Sequence, residues 1–469
     1  MTLQRLNFST TLAALPPELS ISLTSQIQHQ VAVSGRKVVV LDDDPTGTQT
    51  VYDIPVLTEW SIPSLEEALL SHKPAFYILT NTRSVPSDQA QAINRQIGAN
   101  LVEAAQRTHR DFVVVSRSDS TLRGHFPDEV IALEESLKQT FDGWLLIPYF
   151  LEGGRYTLND IHYVAEGDTL VPAAKTPFAQ DAAFGYKSSN LRAWVEEKTN
   201  GRIPADEVAS ISIADIRQGS YEQVAQKLMG LVSGKPCIVN AASPRDIELF
   251  VLGLLQAEAQ GKHFLYRTAA SFVQVRAGLA ARPLLQSADL ELPREGGGLI
   301  IVGSYVPKTT SQVNTLLEKT DLVKLEIDVE HLLDETRRAT ALDQIVNHAN
   351  WMLAQNQDVL LYTSRRLITV DDATGNLSIG QRVSESLVEI VRRISVQPRY
   401  ILAKGGITSS DIATQGLGIK KAMVLGQILP GVPVWQAGPE SRYPDLVYIV
   451  FPGNVGDSNA LVEVVDKLQ

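Results

Sequence analysis

The chain has 469 residues, 44% of them hydrophobic and 20% charged, with a formal net charge of −11. This is ordinary globular composition, and the length suggests two or three domains. The acidic balance leaves no basic face, which argues against nucleic acid and membrane as partners, and no run approaches the roughly 18 apolar residues of a membrane span.

Cys237 is the only cysteine, so no disulfide can close within the chain; this fits a reducing, cytoplasmic setting. Its neighbours read as a strand, which makes it a small buried hydrophobe. The first 30 residues lack a basic segment followed by an apolar one, which argues against a secretory leader. Pro16-Pro17-Glu18 and the residues after it read as a helix start with a mixed face.

From residue 37 onward, short β-branched runs alternate with helical patterns. Strands are expected at 37–41, 76–80, 112–116 and 144–148, with amphipathic helices at 87–108 and 127–139 between them. Residues 150–205 break this rhythm. They are rich in Gly, Tyr, Pro and Lys, and predict a long excursion over a cleft. Alternation resumes at 209–213 and 236–240, followed by a helix over 244–260. The stretch 292–298, with its glycine triplet, reads as a linker. Beyond it, strands are expected at 299–303, 321–327, 358–362, 400–403 and 446–451.

Near-continuous apolar strands separated by helices indicate parallel sheets covered on both faces. The expected fold is therefore α/β with two domains, 1–292 (residues 1–35 as an extension) and 293–469. Each domain has a largely parallel sheet covered by helices, and the active site is expected in the cleft between them.

The chemistry clusters at strand ends. Asp42-Asp43-Asp44-Pro45-Thr46-Gly47 puts three carboxylates and a Thr-Gly turn at the end of the first strand, where open α/β sheets bind ligands. Such acids can act as base, metal ligand or hydroxyl clamp; the bland alternative is an Asp-rich cap. Asn81-Thr82-Arg83-Ser84 follows the second strand and offers an arginine or an N-cap. Ser116–His125 follows the third and carries Arg117, Asp119, Arg123 and Gly124. Its arginines suit a carboxylate, unless Asp119 satisfies one of them internally. Gly153-Gly154-Arg155 adds a further charge in a loop.

In the second half, three strands exit into glycine turns: Gly303-Ser304, Gly405-Gly406-Ile407-Thr408 and Gly453–Asp457. Adjacent exits of this kind on one sheet would form a nucleotide pocket from backbone amides. No Walker A loop, zinc spacing or Gly-x-Ser-x-Gly motif occurs.

These motifs, in this order, resemble the four-carbon acid sugar kinases, the family that includes 3-oxo-tetronate and threonate kinases. The resemblance rests on Asp43-Asp44-Pro45-Thr46-Gly47, on Asp119–Gly124 and on Arg267-Thr268 with Ser271-Phe272-Val273. It continues through the three glycine turns and runs from about residue 36 to the end. It implies an acid-sugar-binding N-terminal domain, an ATP-binding C-terminal domain, and ATP with Mg²⁺ as cofactors. Phe451-Pro452 replace a Lys-Ser pair, and Ile407 stands where an acid is common.

On this reading Asp43 or Asp44 orients or deprotonates the attacking hydroxyl. The substrate falls to Thr46, Gly47, Arg83, Arg117, Asp119, Arg123, Gly124 and Arg155, with Arg117 and Arg123 on its carboxylate. ATP falls to Gly303, Ser304, Gly405, Gly406, Ile407, Thr408, Gly453 and Gly456, and Mg²⁺ is held through the phosphates. Two rivals remain: a haloacid-dehalogenase-like phosphatase using Asp42 and Asp44, and a sugar-acid-binding pseudokinase without turnover. The partners expected are a small sugar acid and ATP; a homodimer is left open.

Overall fold

The computed structural model describes residues 4–304, 306–365 and 373–469; the first three residues of the expected extension lie outside them. The chain divides into two compact units, Met1–Ala281 and Arg282–Gln469. The 292–298 stretch falls inside the second.

In the first unit eight strands form a sheet in the order Ala209–Ile211, Lys235–Val239, Gly143–Ile147, Phe264–Thr268, Phe112–Arg117, Lys37–Asp42, Ala75–Leu79, Ile54–Leu57. Every neighbouring pair is parallel. The strand Lys37–Asp42 is buried from end to end, as its unbroken Val-Val-Val-Leu run requires when helices cover both faces. Removing each of these four side chains from water contributes about 1.5–3 kcal/mol. The chain first builds to one side of this strand, through Ala75–Leu79, and then to the other, through Phe112–Arg117. The order reverses here, so the carboxyl end of Lys37–Asp42 opens on a crevice.

Helix Ser87–Thr108 covers one face. Its buried residues Ala90, Asn94, Ile97, Leu101 and Ala104 recur at helical spacing, and it ends at His109 in the left-handed conformation, φ 54°. Gly98 on that face is needed for close approach, because a Cβ there would lie 1.9 Å from Ser136 Oγ.

Two expectations fail in this unit. Residues 150–205 are not one long loop. Arg155–Leu158, Ile161–Glu166 and Thr169–Pro172 form an antiparallel sheet that Leu6–Asn7 completes. Asn159 and Asp160, at φ 50° and 64°, make the two-residue turn of the first hairpin. Strands of four to six residues are too short to raise a period-2 signal against Gly and Tyr. The segment after Pro16-Pro17 is not a helix either. The helices are Phe8–Ala13, capped by Asn7, and Thr24–Ser34. Leu23 N–H donates to Glu248 Oε2 at 2.7 Å and ties this extension to helix Pro244–Ala259.

In the second unit the order is Lys421–Leu429, Val432–Ala437, Val447–Phe451, Tyr400–Lys404, Leu299–Val302, Val359–Thr363, Val323–Ile327. The last five are mutually parallel and the first two are antiparallel. Here the order reverses at Leu299–Val302, between Val359–Thr363 and Tyr400–Lys404. No helix among the described residues is long and apolar enough to cross a membrane. Cys237 is buried, and burial pushes its thiol up to about 12.

Candidate functional site

The first unit gathers its charges at the reversal point of its sheet. Asp42, Asp43 and Asp44 leave Lys37–Asp42, Arg117 ends the adjacent strand, and Arg83 lies on the turn Thr82–Ser84 after the other neighbour. Three carboxylates in sequence would repel one another, and the structure separates them by partner. Asp42 takes Arg117, with Nη1 to Oδ1 at 3.0 Å and side chains 5% and 1% exposed. Asp43 takes Arg83 at 2.6 Å and the hydroxyl of Ser118. Asp44 accepts from Thr46 N–H at 2.9 Å and from its hydroxyl, and lies 3.6 Å from Arg83 Nη1.

The environments split accordingly. Burial, reinforced by Asp43 and Asp44 against the pull of Arg117, pushes Asp42 up to about 7. Asp44 is desolvated too, but Arg83, Thr46 and Arg117 outweigh that and hold it below the usual carboxylate range. Its side chain is 22% exposed against 4% for Asp43, so it is the more accessible acid of the three.

The segment after Arg117 folds back over this cluster. Asp119 accepts from Arg123 Nε at 2.7 Å and lies 3.9 Å from Arg83. Despite burial, Arg123 and Arg83 hold its carboxyl well below the usual range. Gly124, at φ 114°, is where the backbone comes closest: a Cβ there would sit 2.7 Å from Ser118 Oγ and 3.0 Å from Arg267 Nη2 and Asp43 Oδ2. Gly47 has a like role, since its Cβ would fall 1.9 Å from Asp42 Oδ2. His162, fully buried, bonds the carbonyl of Ser120 through Nε2 at 2.7 Å and anchors the segment from below.

The sequence-expected residues Asp43, Asp44, Thr46, Gly47, Arg83, Asp119, Arg123 and Gly124 thus form one cluster. Arg155 joins it: Arg155 and Arg123 both lie over the ring of Phe178, 5.5 and 5.2 Å from its centre. Arg155, like Arg267, differs from the paired Arg83, Arg117 and Arg123. Among the described residues it has no ion pair, its buried Nε is without a partner, and burial lowers its pKa. Arg117 lies deeper than the other arginines of the cluster. It is expected on the substrate carboxylate, but Asp42 occupies it inside the fold.

Four residues of this region escape sequence reasoning. Phe178 and Asp181, 3.7 Å from Arg123 Nη1, lie in the stretch that shows no periodicity. Ser118 and Arg267, whose Nη2 donates to the carbonyl of Arg123 at 3.1 Å, lie inside quoted motifs but carry no mark of their contacts.

In the second unit the three glycine turns leave adjacent strands, Val447–Phe451, Tyr400–Lys404 and Leu299–Val302, and meet. A Cβ on Gly303 would be 2.5 Å from Thr408 Oγ1, and one on Gly405, at φ 119°, 3.2 Å from Ser304 Cβ. A Cβ on Gly453 would lie 3.6 Å from Ser304 Oγ. Helix Gly406–Asp411 starts at the glycine pair itself, with Ile407 60% exposed. Helix Pro307–Lys319 clamps the last turn: Thr309 Oγ1 donates to Gly453 O at 3.1 Å, and Gln312 Nε2 to Val455 O and Asp457 O at 2.9 and 2.7 Å. Gly456 lies further along, against Ala460. Arg365, which no motif marks, holds the carbonyl of Ser304 at 2.7 Å.

Comparison with known proteins identifies these two halves. Residues 38–276 match the family described as the sugar-binding N-terminal domain, and residues 299–461 the nucleotide-binding C-terminal domain. The chain belongs to the four-carbon acid sugar kinase family. It shares its fold with a Salmonella typhimurium LT2 protein solved under a provisional tRNA-synthase name. That match has 16% identity and a TM-score of 0.67, covering 92% of this chain and 100% of the other. Haemophilus influenzae protein HI1011, of family DUF1537, is similar at 18% identity and a TM-score of 0.61, with the same coverage. No curated protein matches the sequence.

Proposed function

We propose that the protein transfers the terminal phosphoryl group of ATP to a hydroxyl of a small, four-carbon sugar acid. The observation that carries the reading is Arg155, a half-buried cation beside Arg123 with no carboxylate partner among the described residues, at the reversal point of a sheet whose accessible acid is Asp44. A sugar acid supplies what this arrangement lacks. Its carboxylate pairs with Arg155 and the free edge of Arg123, and its hydroxyls meet Asp44, Thr46 and Asp119.

Asp44, held ionised by Arg83 and Thr46, orients the attacking hydroxyl and accepts its proton as the new bond forms. Arg83, with spare N–H groups beside Asp43 and Asp44, stands where charge from the transferred group would develop. Arg117 supports the cluster by neutralising Asp42 beneath it.

The residues of the second unit fit a nucleotide. Gly303, Gly405 and Gly453 form a cradle that side chains would fill, and its backbone amides suit phosphate oxygens. Ser304, Gly406, Ile407 and Thr408 line the same turns, and Gly456 closes the last. ATP supplies the phosphoryl group, and Mg²⁺ neutralises its phosphates. Among the described residues no cluster of three His, Cys, Asp or Glu side chains is set to hold a metal, so no protein ligand is assigned to the ion.

The phosphatase reading needs Asp42 as an accessible nucleophile, and Asp42 is 1% exposed and paired. The test is incubation with ATP-Mg²⁺ and a panel of threonate, erythronate and their oxo forms. ADP formed only when a sugar acid is present supports the kinase. Phosphate released from sugar phosphates would instead mean a phosphatase, and ligand-induced thermal shifts without turnover a pseudokinase.

A further inference from the structure

One buried cation of the second unit has no part in the assignments above. Lys404 ends the strand Tyr400–Lys404 and is 0% exposed. Its Nζ donates to the carbonyl of Pro452 at 3.0 Å and lies 3.8 Å from the ring centre of Phe451, its register partner on the next strand. Among the described residues no carboxylate pairs with it. A lysine buried without a counter-charge is costly. Burial, with Lys308 the next contributor, brings its amine down to about 7.

Its one acceptor lies in the closing glycine turn. The C=O and N–H of a trans peptide point in opposite directions. Among the described residues the only cis peptide bond is Phe126–Pro127, so Pro452–Gly453 is trans. Lys404 holds the carbonyl of that peptide from the buried end of the strand, and the Gly453 N–H therefore points away from it, outward from the sheet. Gly453 is half-buried, and among the described residues its N–H has no backbone acceptor. Its own carbonyl is already held by Thr309 at 3.1 Å. Both carbonyls around this N–H are tied, and among the described residues the donor between them has no acceptor.

We propose that Lys404 is a positioning residue for the phosphates of the nucleotide: it fixes the Pro452–Gly453 peptide so that the Gly453 N–H faces a phosphate, and its charge strengthens that donor. The inference rests on the nucleotide-binding reading above. A cation that polarises the carbonyl of a peptide makes the N–H of the same peptide a better donor. The missing counter-charge of Lys404 is then the anion itself, bound on the far side of the peptide.

The test compares Lys404→Met, which removes the charge at similar volume, with Lys404→Gln, which keeps an N–H for Pro452 but no charge. ATP, ADP and adenosine binding to the full-length protein is measured by calorimetry. Both variants are expected to bind ATP and ADP at least about tenfold more weakly, the loss of one charge-assisted contact, with adenosine affinity within about twofold of wild type. Loss of adenosine and ADP binding in equal measure would mean a merely structural lysine, and unchanged ADP affinity would remove the residue from the site; either overturns the proposal. Should neither variant fold, the wild-type protein decides. At pH 8 the phosphates of ADP are ionised and Lys404 is largely neutral, so ADP binding is expected to take up close to one proton, seen as a dependence of the binding heat on buffer ionisation. No uptake overturns the inference. If wild type binds adenosine and ADP not at all, the nucleotide reading falls, and this inference with it.

Discussion

Arg117 donates to Asp42 at 3.0 Å with both side chains almost completely inside the protein. The pair sets the floor of the acid cluster, and removing one member leaves the other buried alone. Arg117→Met is therefore expected to lower stability by about 3 kcal/mol while Asp42 stays charged, or to drive Asp42 to protonate. The pH dependence separates the two. In the wild type, Asp42 is raised from 3.8 to about 7, so the folded state holds an extra proton between those values and stability falls as pH rises, levelling above 7. In the variant the folded value climbs further, and the fall continues above pH 7 by about 1.4 kcal/mol per pH unit. Urea unfolding at pH 6.5, 7.5 and 8.5 measures this; a constant difference between variant and wild type would show that Asp42 does not depend on Arg117.

Arg155 behaves in the opposite way. It has no carboxylate partner to leave stranded, so Arg155→Ala is expected to keep the melting temperature within a few degrees. The KM for the sugar acid should rise about tenfold or more, as one charged contact is worth about 1.5–3 kcal/mol, with the KM for ATP unchanged. A normal KM for the acid would place the carboxylate elsewhere.

Asp44→Asn removes the accessible acid and keeps its size. We expect kcat to fall at least about a hundredfold, the usual scale for a positioned acid or base. Thermal stability should fall only modestly, because the ionised Asp44 is favoured in the fold by Arg83 and Thr46 while its side chain is partly exposed. Collapse of the fold instead would mean that the Asp44–Thr46 turn is structural.

Much of this was legible in the sequence because parallel strands announce themselves. The runs at 37–41 and 112–116 each carry three consecutive valines, and the helix over 87–108 shows its apolar spacing. The strand ends could be read as a site because open sheets place ligands there. Partner choice could not be read. Nothing in the sequence says that Arg117 turns inward to Asp42 while Arg155, from a distant hairpin, is left without a counter-charge. The hairpin itself was hidden by short strands, although Asn159-Asp160 is a turn pair of the kind that joins them. Lys404 follows the expected strand 400–403 and opens its glycine turn, but a buried lysine looks like any other lysine until its depth is known.

His162 gives a prediction for acid conditions. Burial, and next to it the Arg155 charge, hold its imidazole at about 4 against hydrogen bonding that would raise it. The unfolded chain takes up the proton near 6.5 and the folded protein near 4. The His162 contribution is whole above pH 6.5 and is lost as pH falls toward 4, a loss of about 3 kcal/mol at full depth. His162→Gln should flatten this part of the stability–pH curve. Over that window His162 stays neutral in the folded protein and keeps the Ser120 carbonyl, so sugar-acid binding in the wild type should hold until the pH nears 4. Parallel curves for variant and wild type would remove His162 as the cause.

Gly303 tests the second half-site apart from the first. A Cβ there would stand 2.5 Å from Thr408 Oγ1 and 2.8 Å from Leu387 Cδ1, so the packing between the Gly303 and Thr408 turns must shift. Gly303→Ala is expected to raise the KM for ATP at least about tenfold, through displaced backbone donors, with the KM for the sugar acid unaffected. Gly380→Ala is the control: nothing lies within 4 Å of its Cβ, and it sits in helix Ala373–Arg393. That change should leave both KM values alone and stabilise the helix by about 0.5–1 kcal/mol. If Gly303→Ala weakened the sugar acid as much as ATP, or left both unchanged, the glycine turns of the second unit would not be the phosphate site.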